Sequence, residues 1–318
     1  MPNPEKPARA EVLLEAALDS GLTAEAPEDI GDAVIAAVHT PEYLHFLQNI
    51  YTRWSRIDGA SEEVLPNVHP INRSDGYPKS AVGQVGFHVY DSSCPIVAET
   101  WHSSRWSALT AAHAALQIQN GEEACYALAR PPGHHASQDV AGGFCYLNNS
   151  AIAAQSMLSK FERIAIVDVD VHHGNGTQRI FYERNDVLTV SIHADPIRFY
   201  PFFWGYADET GEGDGDGFNI NLPLPRGSDD EVFLRTLATA LDKVAAFSPQ
   251  AIVIALGLDA HESDPFRGMS ITTKGFGKIG AELGAVGLPT VIVQEGGYLS
   301  DELGNNLRSF LGGFQSGR

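Results

Sequence analysis

Five apolar runs of strand length, at residues 124–129, 164–169, 187–192, 251–256 and 290–293, constrain this chain more than any other feature. Each is near-continuously hydrophobic rather than alternating, the pattern of a strand covered on both faces. Segments of helical character separate several of them, at 149–159, 229–247 and 274–287. Strand alternating with helix predicts an α/β fold wound around a parallel sheet. Further helices are expected at 9–18, 41–54 and 98–119. Residues 55–95, rich in Pro, Gly and Ser, are expected to be irregular, and a stretch that long is usually functional or an interface. The acidic GEGDGDG at 211–217 is read as a turn-rich loop, because no helix pattern opens after it. No repeat or linker divides the chain, so one domain over residues 1–318 is expected.

Composition narrows the function. Against 40 Asp and Glu the chain sets 21 Lys and Arg, a net charge of −19. That disfavours nucleic acid and anionic membrane surfaces, both of which need clustered basic residues. Cys94, Cys125 and Cys145 form no CxxC pair, so neither a disulfide framework nor a thiolate zinc site is expected. The first twenty residues lack an apolar signal core, and no run is long enough to span a bilayer. A cytoplasmic enzyme is the expectation.

In an open parallel sheet, chemistry gathers beyond the carboxyl ends of the strands. The first apolar run is followed by Arg130-Pro-Pro-Gly-His134-His135. The second ends in Asp168, Asp170, His172 and His173. Ser191 and His193 end the third, Asp259 follows the fourth, and Glu295-Gly-Gly-Tyr298 follows the fifth. Asp170 and His172 are two apart, a spacing that puts both side chains on one face of an extended strand. With Asp259 they offer two carboxylates and an imidazole, which leaves open positions for water and substrate. Oxygen and nitrogen donors suit Zn²⁺, and also Fe²⁺, Mn²⁺ or Co²⁺. A histidine of the 134–135 pair beside a metal-bound water can serve as general base and then acid. Asp168 can orient one imidazole, and the Tyr298 phenol can stabilise an oxyanion. Cys145 reads as a small buried residue. GxSxG, HExxH and Walker A patterns are absent.

These residues resemble those of the histone deacetylase superfamily. The matching motifs are RPPGHHA (130–136), GFCYLNN (143–149), IVDVDVHHGNG (166–176), LGLDAHESDP (256–265) and EGGY (295–298). Within the superfamily the chain looks most like the bacterial acetylpolyamine amidohydrolases, through HADPIRFYPFFWGYADETG (193–211) and the long insert before Trp101. The resemblance implies an arginase/deacetylase-like three-layer α/β/α sandwich around a parallel sheet. It assigns Asp170, His172 and Asp259 to Zn²⁺, with Fe²⁺ as a substitute. It makes His134 and His135 the tandem histidines, with His135 as base and acid, and gives His134 the partner Asp168. Asn175 stands beside the second histidine, where many relatives carry Asp and the amidohydrolase branch carries Asn. Tyr298 matches the transition-state tyrosine, and Phe144 and Tyr200 match the walls of the substrate tunnel. A structural K⁺ would use Asp168, Asp170, His172, Ser191 and Ile192.

The implied activity is zinc-dependent removal of an acetyl or other small acyl group from a small N-acyl amine such as an acetylpolyamine. The alternative is a protein acetyl-lysine deacetylase. A non-catalytic acyl-amine binder and an arginase-like dimanganese hydrolase rank below both. A homodimer is implied by likeness of the insert to the dimerisation loop of that branch. Two departures stand out. Relatives begin with a strand and loop ahead of the segment matched by residues 3–9, where this chain starts; without them a wider pocket and an unpaired sheet edge are expected. In addition, Val82 and Ser93 stand where the polyamine enzymes carry acidic residues, with Asp91 near but unmatched.

Overall fold

The computed structural model describes residues 4–318; residues 1–3, which include the first residue of the 3–9 segment, lie outside the described residues. Six strands form one parallel sheet: β1 (Ala124–Ala127), β2 (Ile164–Asp168), β3 (Val187–Ala194), β4 (Asn219–Leu224), β5 (Ala251–Leu256) and β6 (Thr290–Gln294). Their order is β1-β6-β5-β2-β3-β4, and every pair is parallel. All carboxyl ends therefore meet on one rim.

Helices cover both faces. On one, α2 (Ala33–Ala36), α3 (Pro41–Trp54), α4 (Ala81–His88), α5 (Thr100–Asn120) and α6 (Asn149–Met157) pack on Ile164, Ile166, Val253 and Val291. On the other, α1 (Ala8–Asp19), α8 (Asp230–Phe247), α9 (Thr273–Gly284) and α10 (Leu303–Gly317) pack on Ala165, Val167, Ile252 and Ile254. Successive β2 residues thus feed opposite cores, as the pleat requires. A short α7 (Asn175–Phe181) follows β2. The apolar runs form the parallel sheet expected of them, and the architecture is the three-layer α/β/α sandwich that the family resemblance implies.

Local chemistry sets several boundaries. Thr40 caps α3 by accepting from the Tyr43 amide, with Pro41 at the first helical position. Asp229 caps α8 in the same way through the Val232 amide. The expected irregular stretch 55–95 needs one correction, since it contains α4, capped by Ser80. The first apolar run stops as a strand at Ala127, leaving 128–135 free to turn. Among the described residues β1 pairs only with β6. Beside β1 lies a groove of about 410 Å³ lined by Leu22, Tyr126, Ile292, Leu311 and Phe314.

Candidate active site

The rim brings the expected groups together. Asp170, His172 and Asp259 offer ligand atoms that all lie within 4.8 Å of one another, and all three residues are buried. His172 Nδ1 sits 3.1 Å from both Asp170 Oδ1 and Asp259 Oδ2. Backbone amides fix the carboxylates: Gly296 donates to Asp170 Oδ2 at 2.8 Å and Val171 to Asp259 Oδ1 at 3.2 Å. The His172 ring stacks on Phe199 at 5.0 Å, which fixes its plane. A Cβ at Gly296 would lie 2.2 Å from Asp259 Oδ2 and 2.5 Å from Asp170 Oδ2, so the backbone itself walls the triad. Two carboxylates and an imidazole converging, with no Lys or Arg among the described residues bonded to them, fit a divalent cation.

The adjacent histidines have different partners. His134 Nδ1 meets Asp168 Oδ2 at 2.9 Å, while His135 donates from Nδ1 to Asn175 Oδ1 at 2.7 Å. Burial opposes the charged form of His134, but Asp168 and Asp170 outweigh it and push its pKa up to about 10. Burial, with the charges of His134 and His172 added, holds His135 well below the usual imidazole range. A carboxylate beside one ring and an amide beside the other thus split two neighbours into a proton-holding and a proton-accepting group. Tyr298 is buried, and burial together with Asp259 keeps it a phenol. Its ring meets Phe144 and Phe266 edge-on at 6.0 and 5.1 Å.

His134, His135, Asp170, His172 and Tyr298, all buried, line the deep end of a cavity of about 310 Å³, which Phe144 and Tyr200 also line; Asp259 lies behind this lining. Phe144 takes a left-handed backbone (φ 68°) next to Gly143 (φ 54°), and this turn presents its ring to the cavity. Ser93, one of the two positions expected to replace an acidic residue, lines the cavity; Val82 does not. Cys145 is fully buried and outside the lining, as read. His173 turns away to stack near His193, 4.7 Å between ring centres. Ser191 faces Asp168 across the β2–β3 ladder, and its hydroxyl meets His193 Nδ1 at 2.8 Å. Ile192 is buried beside it.

Three supporting residues were given no role by the sequence reading. Glu295 is fully buried and accepts from the Gly133 and His134 amides at 2.6 and 3.0 Å and from Ser150 at 2.7 Å, tying β6 to the histidine turn. Arg9, 1% exposed, donates to the carbonyls of Glu295 and Gly297 and lies 5.1 Å over the Tyr298 ring. Its signal was present: Arg9 shares the buried face of α1 with Leu13, Ala16 and Ala17, where a charge needs a dedicated partner. Asp91 accepts from the Tyr200 hydroxyl at 2.5 Å and from the Gly143 amide at 3.0 Å, joining both walls of the cavity.

Comparison with known proteins agrees with this geometry. The signature described as "Histone deacetylase domain" matches residues 3–314. An acetylpolyamine amidohydrolase of Burkholderia pseudomallei (strain 1710b) is 46% identical over 98% of this chain and 91% of its own length. One from Mycoplana ramosa is 40% identical over 97% of this chain and 91% of its own. A crystal structure of acetylpolyamine aminohydrolase from Burkholderia pseudomallei superposes with a TM-score of 0.97, covering 100% of this chain and 92% of that one, at 46% identity. With the fold, the motif order and the rim geometry in accord over the whole chain, the chain is a deacetylase that belongs to the histone deacetylase family.

Proposed function

We propose that the protein is a zinc-dependent amidohydrolase that releases an acetyl or other small acyl group from a small N-acyl amine. The acetylpolyamines named for its relatives belong to that substrate class. The observation that carries this reading is the differently partnered pair His134 and His135 beside the Asp170–His172–Asp259 triad, at the deep end of a cavity that also holds Tyr298.

In this reading Asp170, His172 and Asp259 hold Zn²⁺, or Fe²⁺ in its place, which when bound polarises the amide carbonyl and acidifies a water. His135, neutral and with Nδ1–H committed to Asn175, takes the water proton at Nε2. The Tyr298 phenol donates to the oxygen of the former carbonyl as charge develops there. His134, held protonated by Asp168, steadies that charge, and a protonated histidine of the pair returns a proton to the leaving amine. Phe144 and Tyr200 flank the acyl chain and exclude water. The products are a carboxylate and an amine.

Structural K⁺ at Asp168, Asp170, His172, Ser191 and Ile192, a homodimer, one catalytic domain over 1–318 and a cytoplasmic location complete the proposal. Among the described residues no helix is long and apolar enough to cross a membrane. The test is hydrolysis of acetylputrescine, acetylspermidine, acetyl-lysine peptides and trifluoroacetyl-lysine, after chelation and after Zn²⁺ is restored. Metal-dependent turnover of the small amides, abolished in His135→Ala, is expected. Preference for the peptides would move the substrate to protein acetyl-lysine, and metal-independent turnover would overturn the mechanism.

A further inference from the structure

The charged groups along the cavity are sorted by depth. Asp170, His134, His135 and His172 lie buried at the closed end. Toward solvent the charged lining residues are Arg198 and Arg226, both exposed, and among the described residues no Asp or Glu lines the cavity apart from the buried Asp170. Arg226 is held in place, its Nε donating to the Arg267 carbonyl at 2.8 Å and one terminal nitrogen to the Phe266 carbonyl at 3.3 Å. Neither guanidinium takes part in any of the salt bridges among the described residues. Asp91, which joins the two walls of the cavity, is not in its lining and is engaged at both oxygens by the Tyr200 hydroxyl and the Gly143 and Ser93 amides.

From this arrangement we infer that the mouth selects acyl amines whose far end carries a carboxylate, that is, linear ω-acylamino acids, over amides ending in an ammonium. The inference rests on the amide-hydrolysis reading above and names the substrate class within it. With its amide at the closed end, such a substrate directs its carboxylate outward to two guanidinium groups that have no carboxylate partner, Arg198 able to take it through paired N–H donors and Arg226 through the donors its two backbone carbonyls leave over. A polyamine in the same pose would bring its ammonium up to two like charges. The chain's net charge of −19 does not reverse this. Its field is screened beyond about 8 Å at physiological salt, whereas the arginines act at contact.

The test compares matched amides of equal length: 4-acetamidobutanoate, N-acetylputrescine and neutral N-butylacetamide, with a longer series ending in the same three groups. Each exposed charge pair contributes a factor of about two to five, so two arginines give a carboxylate-over-ammonium ratio in kcat/KM of about tenfold. The ratio is measured within each preparation, which makes it independent of the folded fraction. It should fall below one in the double variant Arg198→Glu, Arg226→Glu and survive in Arg198→Lys, Arg226→Lys. A wild-type ratio below one, or a ratio that the charge reversal leaves unmoved, would overturn the inference. Were none of the amides hydrolysed, the neutral one included, the hydrolase reading would fail. Calorimetric binding of the intact amides would then read the mouth directly, with tighter binding of the carboxylate supporting the inference and equal or weaker binding overturning it.

Discussion

Glu295→Ala is the substitution whose consequence can be worked furthest from the geometry. Its carboxylate satisfies three buried donors, the Gly133 and His134 amides and the Ser150 hydroxyl. Each donor left without a partner costs about 2 kcal/mol, so the gross loss is about 6 kcal/mol. Against this stands the cost of keeping the carboxylate buried. Burial pushes its pKa from 4.5 up to about 7, equivalent to about 3 kcal/mol that the alanine recovers. The net destabilisation is about 3 kcal/mol at pH 7. With an unfolding entropy of about 2.1 cal/mol/K per residue, that lowers Tm by about 4–5 °C. Urea titration followed by circular dichroism measures it. Because the native carboxyl binds its proton more tightly than the unfolded one, wild-type stability is lost as pH rises from about 4.5 to about 7, and Glu295→Gln should lack that slope. The same change loosens the turn carrying both histidines, and displacement by about 1 Å costs about a hundredfold in kcat. Glu295→Ala within about 1 kcal/mol of wild type at pH 7, with kcat retained, would refute the reasoning.

Three other outcomes follow from the site and its surroundings. Gly296→Ala places a Cβ against the carboxylates of Asp259 and Asp170, so metal affinity should drop by about ten- to a hundredfold in competition with a chelator, while the dichroism spectrum stays native; wild-type affinity would remove the triad from consideration as the metal site. Tyr298→Phe should lose about a hundred- to a thousandfold in kcat with metal content unchanged, and a loss under about fivefold would deny the phenol its role. Burial lowers the His39 pKa from 6.5 to about 4, and its Nε2 accepts from the Asn148 amide, so the stability it contributes is present above 6.5 and lost as pH falls toward 4. His39→Gln should flatten the acid limb of stability against pH by about 3 kcal/mol, and an unchanged limb would place the acid sensitivity elsewhere.

The parts of the fold that were legible are those whose pattern is local and strong. Five of six strands announced themselves through near-continuous apolar runs, and four of them, β2, β3, β5 and β6, are buried along their whole length. The sixth, β4, reads Asn-Ile-Asn-Leu-Pro-Leu and escaped. As an edge strand it tolerates Pro223, and its Asn219 and Asn221 are buried only because Gln178 and Glu209 meet them. Helix α10 escaped for a different reason. Its apolar positions Leu303, Leu307, Phe310, Leu311 and Phe314 keep helical spacing, but glycines among them lower intrinsic helix propensity. Those glycines serve packing instead: a Cβ at Gly313 would lie 1.9 Å from the Gly277 carbonyl of α9, so the two helices approach backbone to backbone. Helix α7 is seven residues long, too short for a period to show.

The site divides along the same line. The groups read directly from the sequence, Asp168, Asp170, His172 and the 134–135 pair, lie in short motifs at strand ends, where a spacing of two already implies a common face. The groups that hold them come from distant parts of the chain: Arg9 from α1, Glu295 from the end of β6, and Asp91 from the loop ahead of α5. No spacing rule links Asp91 to Tyr200 across 109 residues; only the sheet order and its shared rim do. The reaction class is therefore written in the local motifs, because ligand and proton-transfer chemistry restricts residue type wherever it occurs. Substrate choice, on the inference drawn above, is written in non-local groups, at Asp91, Arg198 and Arg226, which lie beyond the strand ends and outside the sheet. A chain can keep every catalytic motif of its family while the groups at its cavity mouth vary independently, because Arg198 and Arg226 are exposed and pack into neither core.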